Sequence, residues 1–248
     1  MLLSVENLHK SFGGIVATNN VTLNVSKGET HAVIGPNGAG KTTLVSQLIG
    51  DLKPDSGKVC LEGEDISKYA SHKRAQLGMA RSFQITSIIS NLTVKENVML
   101  AVQAQCGHSY HFWAPVHKAA EITAPALEML QRVGLVDAAD RSATGLSHGE
   151  HRQLEVAMAM ATRPKLLLLD EPMAGMGTEE SVRMLDIFRT IKGGPGILLI
   201  EHDMDVVFAL ADRISVLVNG AIIASDTPDA IRSNAHVRAA YLGESDHA

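Results

Sequence analysis

A glycine-rich stretch near the N-terminus combines the residue types and the spacing that hold a phosphate group. Residues 35–43 fit the pattern G-x-x-x-x-G-K-S/T between a predicted strand and a predicted helix. Glycines let backbone N–H groups turn toward a phosphate, and the start of a helix adds unpaired donors and a positive dipole end. Lys41 would reach the β- and γ-phosphates of a nucleotide, while the Thr42 hydroxyl would bind Mg²⁺. The predicted nucleotide contacts are Gly35, Pro36, Asn37, Gly38, Ala39, Gly40, Lys41, Thr42 and Thr43.

Two adjacent carboxylates follow an apolar run later in the chain. Residues 166–169 are four leucines, and Asp170 and Glu171 come directly after them. A strand in this run would place both acids at its carboxyl end, the edge at which α/β sheets bind ligands. We expect Asp170 to hold Mg²⁺, directly or through water, and Glu171 to polarise a water that attacks the γ-phosphate.

A second apolar run, Ile197–Ile200, ends in Glu201, His202 and Asp203. His202 at the end of such a strand is placed to hydrogen-bond a γ-phosphate oxygen and the attacking water. The plainer interpretation of a single histidine is a surface or satisfied core residue. Asp203 is expected to cap the helix that follows it.

Residues 146–150 open another predicted helix with a serine, a glycine and no lysine. The Ser147 hydroxyl and the Gly149 backbone at a helix start form a second candidate anion site. Because two such sites cannot easily share one nucleotide within a single chain, we expect two chains to meet head to tail. Ser147 with Glu150 also fits an ordinary capping box, and both interpretations can hold together.

The elements around these residues indicate an α/β fold. Strand patterns alternate with helical ones, and the first strand patterns, near residues 3–8 and 21–25, add an antiparallel layer. We expect one domain over residues 1–248. Within it, about 1–84 and 161–248 form the nucleotide-binding core with the β layer, and about 85–160 form an inserted helical subdomain.

Composition limits the possible functions. The 248 residues are 45% hydrophobic with a formal net charge of −5, which is typical of a globular protein and argues against a general nucleic-acid partner. The apolar runs are far shorter than the about 20 residues that cross a bilayer. Since the N-terminus also lacks a basic region followed by an apolar stretch, we expect a cytosolic chain.

Together these motifs make the chain resemble an ATP-binding cassette (ABC) transporter ATPase over nearly its full length. The P-loop of that family (Walker A) corresponds to Gly35–Thr42, Walker B to Leu166–Asp170, and the switch histidine to His202. The family signature corresponds to residues 146–150, called the signature segment below. The resemblance also implies that Gln84 contacts Mg²⁺ and senses the membrane partner, and that Phe12 stacks on adenine.

The resemblance implies a function that the chain cannot perform alone. Such cassettes sandwich ATP between two subunits, with Ser147, Gly149 and Glu150 of one facing the nucleotide of the other. They hydrolyse ATP with Mg²⁺, at the cytoplasmic face of the inner membrane, to drive membrane permease subunits. The second ATPase subunit is identical or related, and a substrate-binding protein is an indirect partner.

Four short segments resemble the importer group for branched-chain amino acids, whose relatives also carry urea and short amides. These segments are residues 81–84, 174–177, 200–204 and 240–244. Two features depart from the usual family pattern. His148 and Glu150 replace residues of the common Leu-Ser-Gly-Gly-Gln signature, and residues 172–177 lack the acidic residue that is common after Walker B.

Two other functions use the same phosphate loop. A non-transport ABC protein would act on the ribosome or on DNA, but such proteins usually carry two cassettes or a long coiled coil between the Walker motifs. A small-molecule kinase would have no use for the signature segment. The acidic balance and the single cassette favour the transporter subunit.

Overall fold

The computed structural model describes residues 1–81, 88–105 and 120–239. The strands are β1 (Leu3–Phe12), β2 (Ile15–Val25), β3 (Thr30–Ile34), β4 (Ser56–Leu61), β5 (Glu64–Asp65), β6 (Met79–Arg81), β7 (Leu166–Asp170), β8 (Gly196–Ile200), β9 (Arg213–Val218) and β10 (Ala221–Asp226). The helices are α1 (Lys41–Ile49), α2 (Ser71–Gln76), α3 (Val94–Gln105), α4 (Ala120–Arg132), α5 (His148–Ala161), α6 (Thr178–Ile191), α7 (Met204–Leu210), α8 (Pro228–Ser233) and α9 (Ala235–Val237).

The larger sheet has six strands in the order β10-β9-β3-β8-β7-β6. The strands from β9 to β6 run parallel to one another, and β10 is antiparallel to β9. All residues of β3 and β8 are buried, as expected for central strands that are covered on both faces. Since β3, β8 and β7 are neighbours, the segments that follow Ile34, Ile200 and Asp170 leave the sheet at one edge.

A four-stranded antiparallel sheet in the order β2-β1-β4-β5 forms the predicted β layer. The β1–β2 hairpin is longer than predicted, because the pairing continues to Phe12 and Ile15 on either side of the glycine turn. Gly13 has a φ of +58°, a conformation that suits a tight two-residue turn and that glycine adopts without a Cβ penalty.

Side chains of β7 alternate between two apolar clusters. Leu166 and Leu168 belong to the cluster that α1 and the antiparallel sheet share, whereas Leu167 and Leu169 belong to the cluster of the remaining helices. Because Leu44 and Leu48 of α1 are fully buried in the first cluster, the helix after the phosphate loop is fixed between the two sheets. The start of α1 therefore has a defined position relative to β7.

Helices α3, α4 and α5 pack on one another. Ile122, Ala126 and Leu130 form the buried face of α4, as the helical spacing predicts. These helices lie within the predicted helical subdomain of about 85–160, whose boundaries stay a prediction. None of the helices in the described ranges combines the length and apolar character needed to span a membrane.

Candidate active site

The phosphate loop, residues 35–43, is shaped by close contacts with neighbouring backbone. Gly40 has a φ of +103°, and a Cβ at this position would lie 2.1 Å from the carbonyl oxygen of Ala17. The Ala39 N–H donates to Pro36 O at 3.2 Å, and the Gly220 N–H donates to Ala39 O at 2.9 Å. Strand β2 and the turn between β9 and β10 therefore support the loop from outside, and the loop needs glycine at position 40 to approach β2.

Lys41 lies at the centre of this loop. Its ammonium group donates to the carbonyl oxygens of Gly35 at 2.6 Å and Pro36 at 3.1 Å, and the residue is only 8% exposed. Burial lowers the pKa of Lys41 below its usual range, while the charges of Glu171 and Asp170 oppose that shift. The two carboxylates thus favour the charged form of the lysine.

Asp170, the last residue of β7, forms an ion pair that the sequence analysis missed. Arg81 Nη2 lies 2.7 Å from Asp170 Oδ2, and the two side chains are 4% and 19% exposed. The guanidinium comes from β6, the neighbouring parallel strand. Only the strand order brings these residues together, and no pattern in the sequence around Arg81 signals it.

The residues predicted to bind Mg²⁺ suit that ion chemically. The Thr42 hydroxyl and the Asp170 carboxylate supply the hard oxygen ligands that Mg²⁺ prefers, and Thr42 is exposed at the start of α1. Gln84, the third predicted ligand, lies outside the described residues.

Glu171 and His202 follow adjacent strands and face each other. His202 Nδ1 lies 3.8 Å from Glu171 Oε1, and the side chains are 60% and 45% exposed. Glu171 adopts a φ of +48°, uncommon for a residue with a side chain, while its N–H donates to Ile200 O at 2.8 Å. The backbone turn after β7 is therefore tied to β8, and both predicted catalytic side chains reach solvent at the same edge.

Glu201 holds the turn beneath this pair and was not predicted. It is fully buried, and its carboxylate accepts the N–H groups of Met173 at 3.2 Å, His202 at 2.8 Å and Asp203 at 3.2 Å. Asp203 in turn caps α7, as predicted. Glu201 thus fixes the backbone around the predicted catalytic pair rather than facing solvent itself.

The signature segment forms the predicted capping box at the start of α5. Ser147 Oγ accepts the Glu150 N–H at 3.2 Å, and Glu150 Oε2 accepts the Ser147 N–H at 2.8 Å. That backbone hydrogen bond, together with Arg141, lowers the pKa of Glu150 below its usual range. The Gly149 N–H donates at 3.2 Å to Glu180 of α6, a contact that sequence reasoning missed.

The predicted site residues fall into two separate groups within one chain. Across the described residues, no hydrogen bond or ion pair joins the signature segment to residues 35–43. Instead, Ser147, Gly149 and Glu150 line a small cavity with residues of α6 and the segment before it. Phe12 lies at the exposed end of the β1–β2 hairpin, 51% exposed, with Lys10 Nζ 5.5 Å from the ring centroid.

Three features now stand together at one edge of the parallel sheet. They are a glycine-rich loop with a buried lysine, a carboxylate pair after β7 and a histidine after β8. Such an arrangement can bind a nucleotide triphosphate and place a base against its terminal phosphate. Fold and site therefore define a P-loop nucleotide-binding protein.

Comparisons with known proteins narrow this class. The family model described as "ABC transporter" matches residues 18–174, and one described as "Branched-chain amino acid ATP-binding cassette transporter" matches residues 221–247. The high-affinity branched-chain amino acid transport ATP-binding protein LivG of Escherichia coli strain K12 is 38% identical, over 98% of this chain and 98% of its own. The probable LivG of Archaeoglobus fulgidus is also 38% identical, over 99% and 96%.

A solved structure agrees with these matches. The ADP conformation of MJ1267, an ATP-binding cassette of an ABC transporter, has a TM-score of 0.83 at 31% identity and covers 98% of each chain. The chain therefore belongs to the ABC transporter family. The predicted fold class and the prediction of an ABC ATPase are both confirmed, and the comparisons lend no support to a role on the ribosome or DNA.

Proposed function

We propose that this ATPase powers a membrane importer for branched-chain amino acids. The relatives LivG and BraF are transport ATP-binding proteins for these amino acids, and they resemble the chain over almost its whole length. A match to the branched-chain family model at residues 221–247 agrees with the same substrate class. The partners on this proposal are permease subunits at the cytoplasmic face of the inner membrane, a second cassette and, indirectly, a substrate-binding protein.

The phosphate loop binds the nucleotide on this proposal. Lys41 exchanges the carbonyls of Gly35 and Pro36 for phosphate oxygens, and the ligand's charge opposes the desolvation that lowers the pKa of that lysine. Phe12, exposed at the hairpin end, stacks on adenine. Bound Mg²⁺ would neutralise charge on the phosphates, and Thr42, Asp170 and Gln84 would hold it.

Hydrolysis is assigned to the residues after β7 and β8. Glu171 orients and deprotonates the attacking water, and His202 hydrogen-bonds the γ-phosphate and that water. The approach of Glu171 to His202, 3.8 Å apart beside the lysine loop, is the observation that carries this assignment. Glu201 keeps the two backbones in register by accepting three N–H groups.

A second cassette completes the site. Within one chain the signature segment lies apart from the phosphate loop, so Ser147 and Gly149 contact the nucleotide of another subunit on this proposal. Glu150 faces the same nucleotide with its charge paired to Arg141. The α5 helix adds a positive dipole end and a serine hydroxyl toward that γ-phosphate. ATP then closes two cassettes, and hydrolysis lets them separate, which moves the permease.

Glu171→Gln tests the catalytic part of this proposal. The amide keeps the shape of the side chain but cannot take a proton, so ATP turnover should fall by about 100-fold or more. Binding of ATP, measured by equilibrium dialysis, should stay within about twofold of the unaltered chain because the phosphate loop is untouched. Unchanged turnover would show that Glu171 is not the base.

Uptake tests the substrate. Deletion of this chain's gene in its host should abolish uptake of labelled leucine, isoleucine and valine, and a plasmid copy should restore it. The Glu171→Gln copy should not restore uptake. If leucine uptake persists while urea or short-amide uptake is lost, the importer serves the related amide substrates instead.

A further inference from the structure

Two carboxylates of the chain itself already occupy backbone donors at the start of α5. Glu150 accepts the Ser147 N–H and pairs with Arg141 Nη1 at 3.0 Å. Glu180, from the first turn of α6, accepts the Gly149 N–H through Oε1 at 3.2 Å. A Cβ on residue 149 would lie 2.5 Å from that oxygen, so the Glu180 carboxylate lies directly against the Gly149 backbone.

These two carboxylates differ in how their charge is balanced. Glu150 has Arg141 as a counter-ion, and it caps its own helix. The second oxygen of Glu180 accepts the Gly177 N–H at 3.2 Å, but no lysine, arginine or histidine in the described ranges forms an ion pair with it. Arg183, which lines the same cavity, lies 3.8 Å from Glu179 instead. Glu180 therefore adds negative charge at the signature segment without an ion-pair partner in the described ranges.

We infer that Glu180 is an internal competitor of the γ-phosphate: it holds the Gly149 N–H in the free cassette and must release it before two copies of this chain close on ATP. This inference rests on the proposed sandwich. The N–H has one proton to donate, and a carboxylate beside a γ-phosphate repels it. After release, Glu180 keeps its bond to the Gly177 N–H, so α6 stays capped.

Glu180 is expected to oppose the association of two cassettes and to leave the binding of ATP by each cassette unchanged. Each copy binds ATP in its own phosphate loop, which Glu180 does not contact. Closure of the two copies then requires the exchange of the Glu180 carboxylate for the partner's phosphate at Gly149. Glu180 thus raises the ATP concentration at which the cassettes associate.

A pair of neighbouring glutamates supplies the test. In the Glu171→Gln background, where hydrolysis is blocked, dimer formation is followed by sedimentation velocity across an ATP titration. Adding Glu180→Gln removes the charge and leaves one acceptor oxygen, enough for the Gly177 N–H that caps α6, so the half-maximal ATP concentration should fall by about three- to tenfold. Adding Glu179→Gln removes the same charge from a side chain that is 91% exposed and does not contact Gly149, and the shift should be under about twofold.

The outcomes separate this inference from the proposed function. Dimers that form equally well with and without Glu180→Gln, or less well with it, overturn the inference alone. If neither Glu171→Gln nor its Glu180→Gln derivative dimerises with ATP, the sandwich of two copies fails, and the inference fails with it. Dimerisation only after Glu180→Gln supports the inference most strongly. Equal ADP affinity in all variants shows that each one is folded.

Discussion

The proposed ATP site has two halves, the phosphate loop with its neighbours Arg81 and Asp170, and the signature segment. Their charged side chains have opposite roles. At the phosphate loop, buried cations are matched to the chain's own oxygens: Lys41 to two carbonyls and Arg81 to Asp170. At the signature segment, backbone donors are matched to carboxylates, those of Glu150 and Glu180. On the proposed function, oxygens of the chain occupy the positions that phosphate would take, and Arg81 occupies the position that Mg²⁺ would take beside Asp170. Nucleotide binding on that proposal is an exchange of partners in both halves.

The largest expected effect tests whether the phosphate loop alone binds the nucleotide. Lys41→Met removes a buried ammonium that would make charge-assisted hydrogen bonds to phosphates, so ADP affinity should fall by about 100-fold. Calorimetric titration measures it. Lys53→Met, a change at an exposed lysine, is the matched control and should leave affinity unaltered. A loss of ADP affinity under about tenfold would mean that residues other than Lys41 make the main phosphate contacts.

The ion pairs of the two halves should differ in stability. Arg81→Met leaves the mostly buried Asp170 carboxylate without its guanidinium partner, and should lower the free energy of unfolding by about 3 kcal/mol. Arg141→Met breaks a pair whose arginine is 50% exposed, and should cost about 0–1 kcal/mol.

Urea unfolding of the nucleotide-free chain measures both losses, provided that the slope with denaturant stays constant. Arg81→Met combined with Asp170→Asn should recover part of the loss, because no unpaired charge remains. Equal losses of unfolding free energy for Arg81→Met and Arg141→Met would contradict the expectation that the buried ion pair contributes more than the exposed one.

A smaller effect isolates the role of the signature segment. Ser147→Ala removes the cap of α5 and the proposed γ-phosphate contact, so ATP turnover should fall by about tenfold while ADP affinity stays constant. Thr227→Ala removes the equivalent cap of α8, a residue to which no ligand contact is assigned. Both variants should lose about 1 kcal/mol of stability, and only Ser147→Ala should lose turnover. A turnover loss in both variants would mean that Ser147 acts through stability alone.

The sequence predicts the motifs of the phosphate loop and the signature segment. It does not predict the side chains that pair with them, Arg81 and Glu180. Residues 35–43, Asp170 and the Ser147–Glu150 box are local patterns, so their spacing predicts their elements. The Arg81–Asp170 pair depends on β6 lying beside β7, and the Glu180 contact depends on where α6 begins relative to α5. Such contacts join positions far apart in the chain, and no periodicity encodes them.

Helix α2 was missed for a related reason. Its sequence is polar, with no apolar stripe to signal a helix, yet Arg74 is buried and donates to the carbonyl oxygens of Gln47 and Leu48. Burial lowers the pKa of Arg74 to about 10. The helix is held in place by an arginine that donates to the last carbonyl oxygens of α1, not by an apolar face. Helix prediction from hydrophobic spacing cannot detect such a contact.

The smallest expected effect is a proton exchange confined to the phosphate loop. Burial lowers the pKa of Lys41 in the free chain, and bound phosphates raise it again, so ADP binding should take up protons between those two pKa values. Affinity should consequently fall, by about two- to threefold, as the pH rises into that alkaline window, and stay level below it. Calorimetry in two buffers of different ionisation enthalpy measures the uptake.

The signature segment should not contribute to this pH dependence, because the pKa of Glu150 is lowered and the group stays ionised throughout the alkaline window. Lys41→Arg keeps the charge at every pH in that window, so any binding it retains should occur without proton uptake. Uptake that persists in Lys41→Arg would assign the proton to another group. If the unaltered chain takes up no protons, Glu171 and Asp170 already keep Lys41 fully protonated before ADP binds. The phosphate loop and the signature segment would then differ in the sign of their charges, but neither would change its protonation on binding.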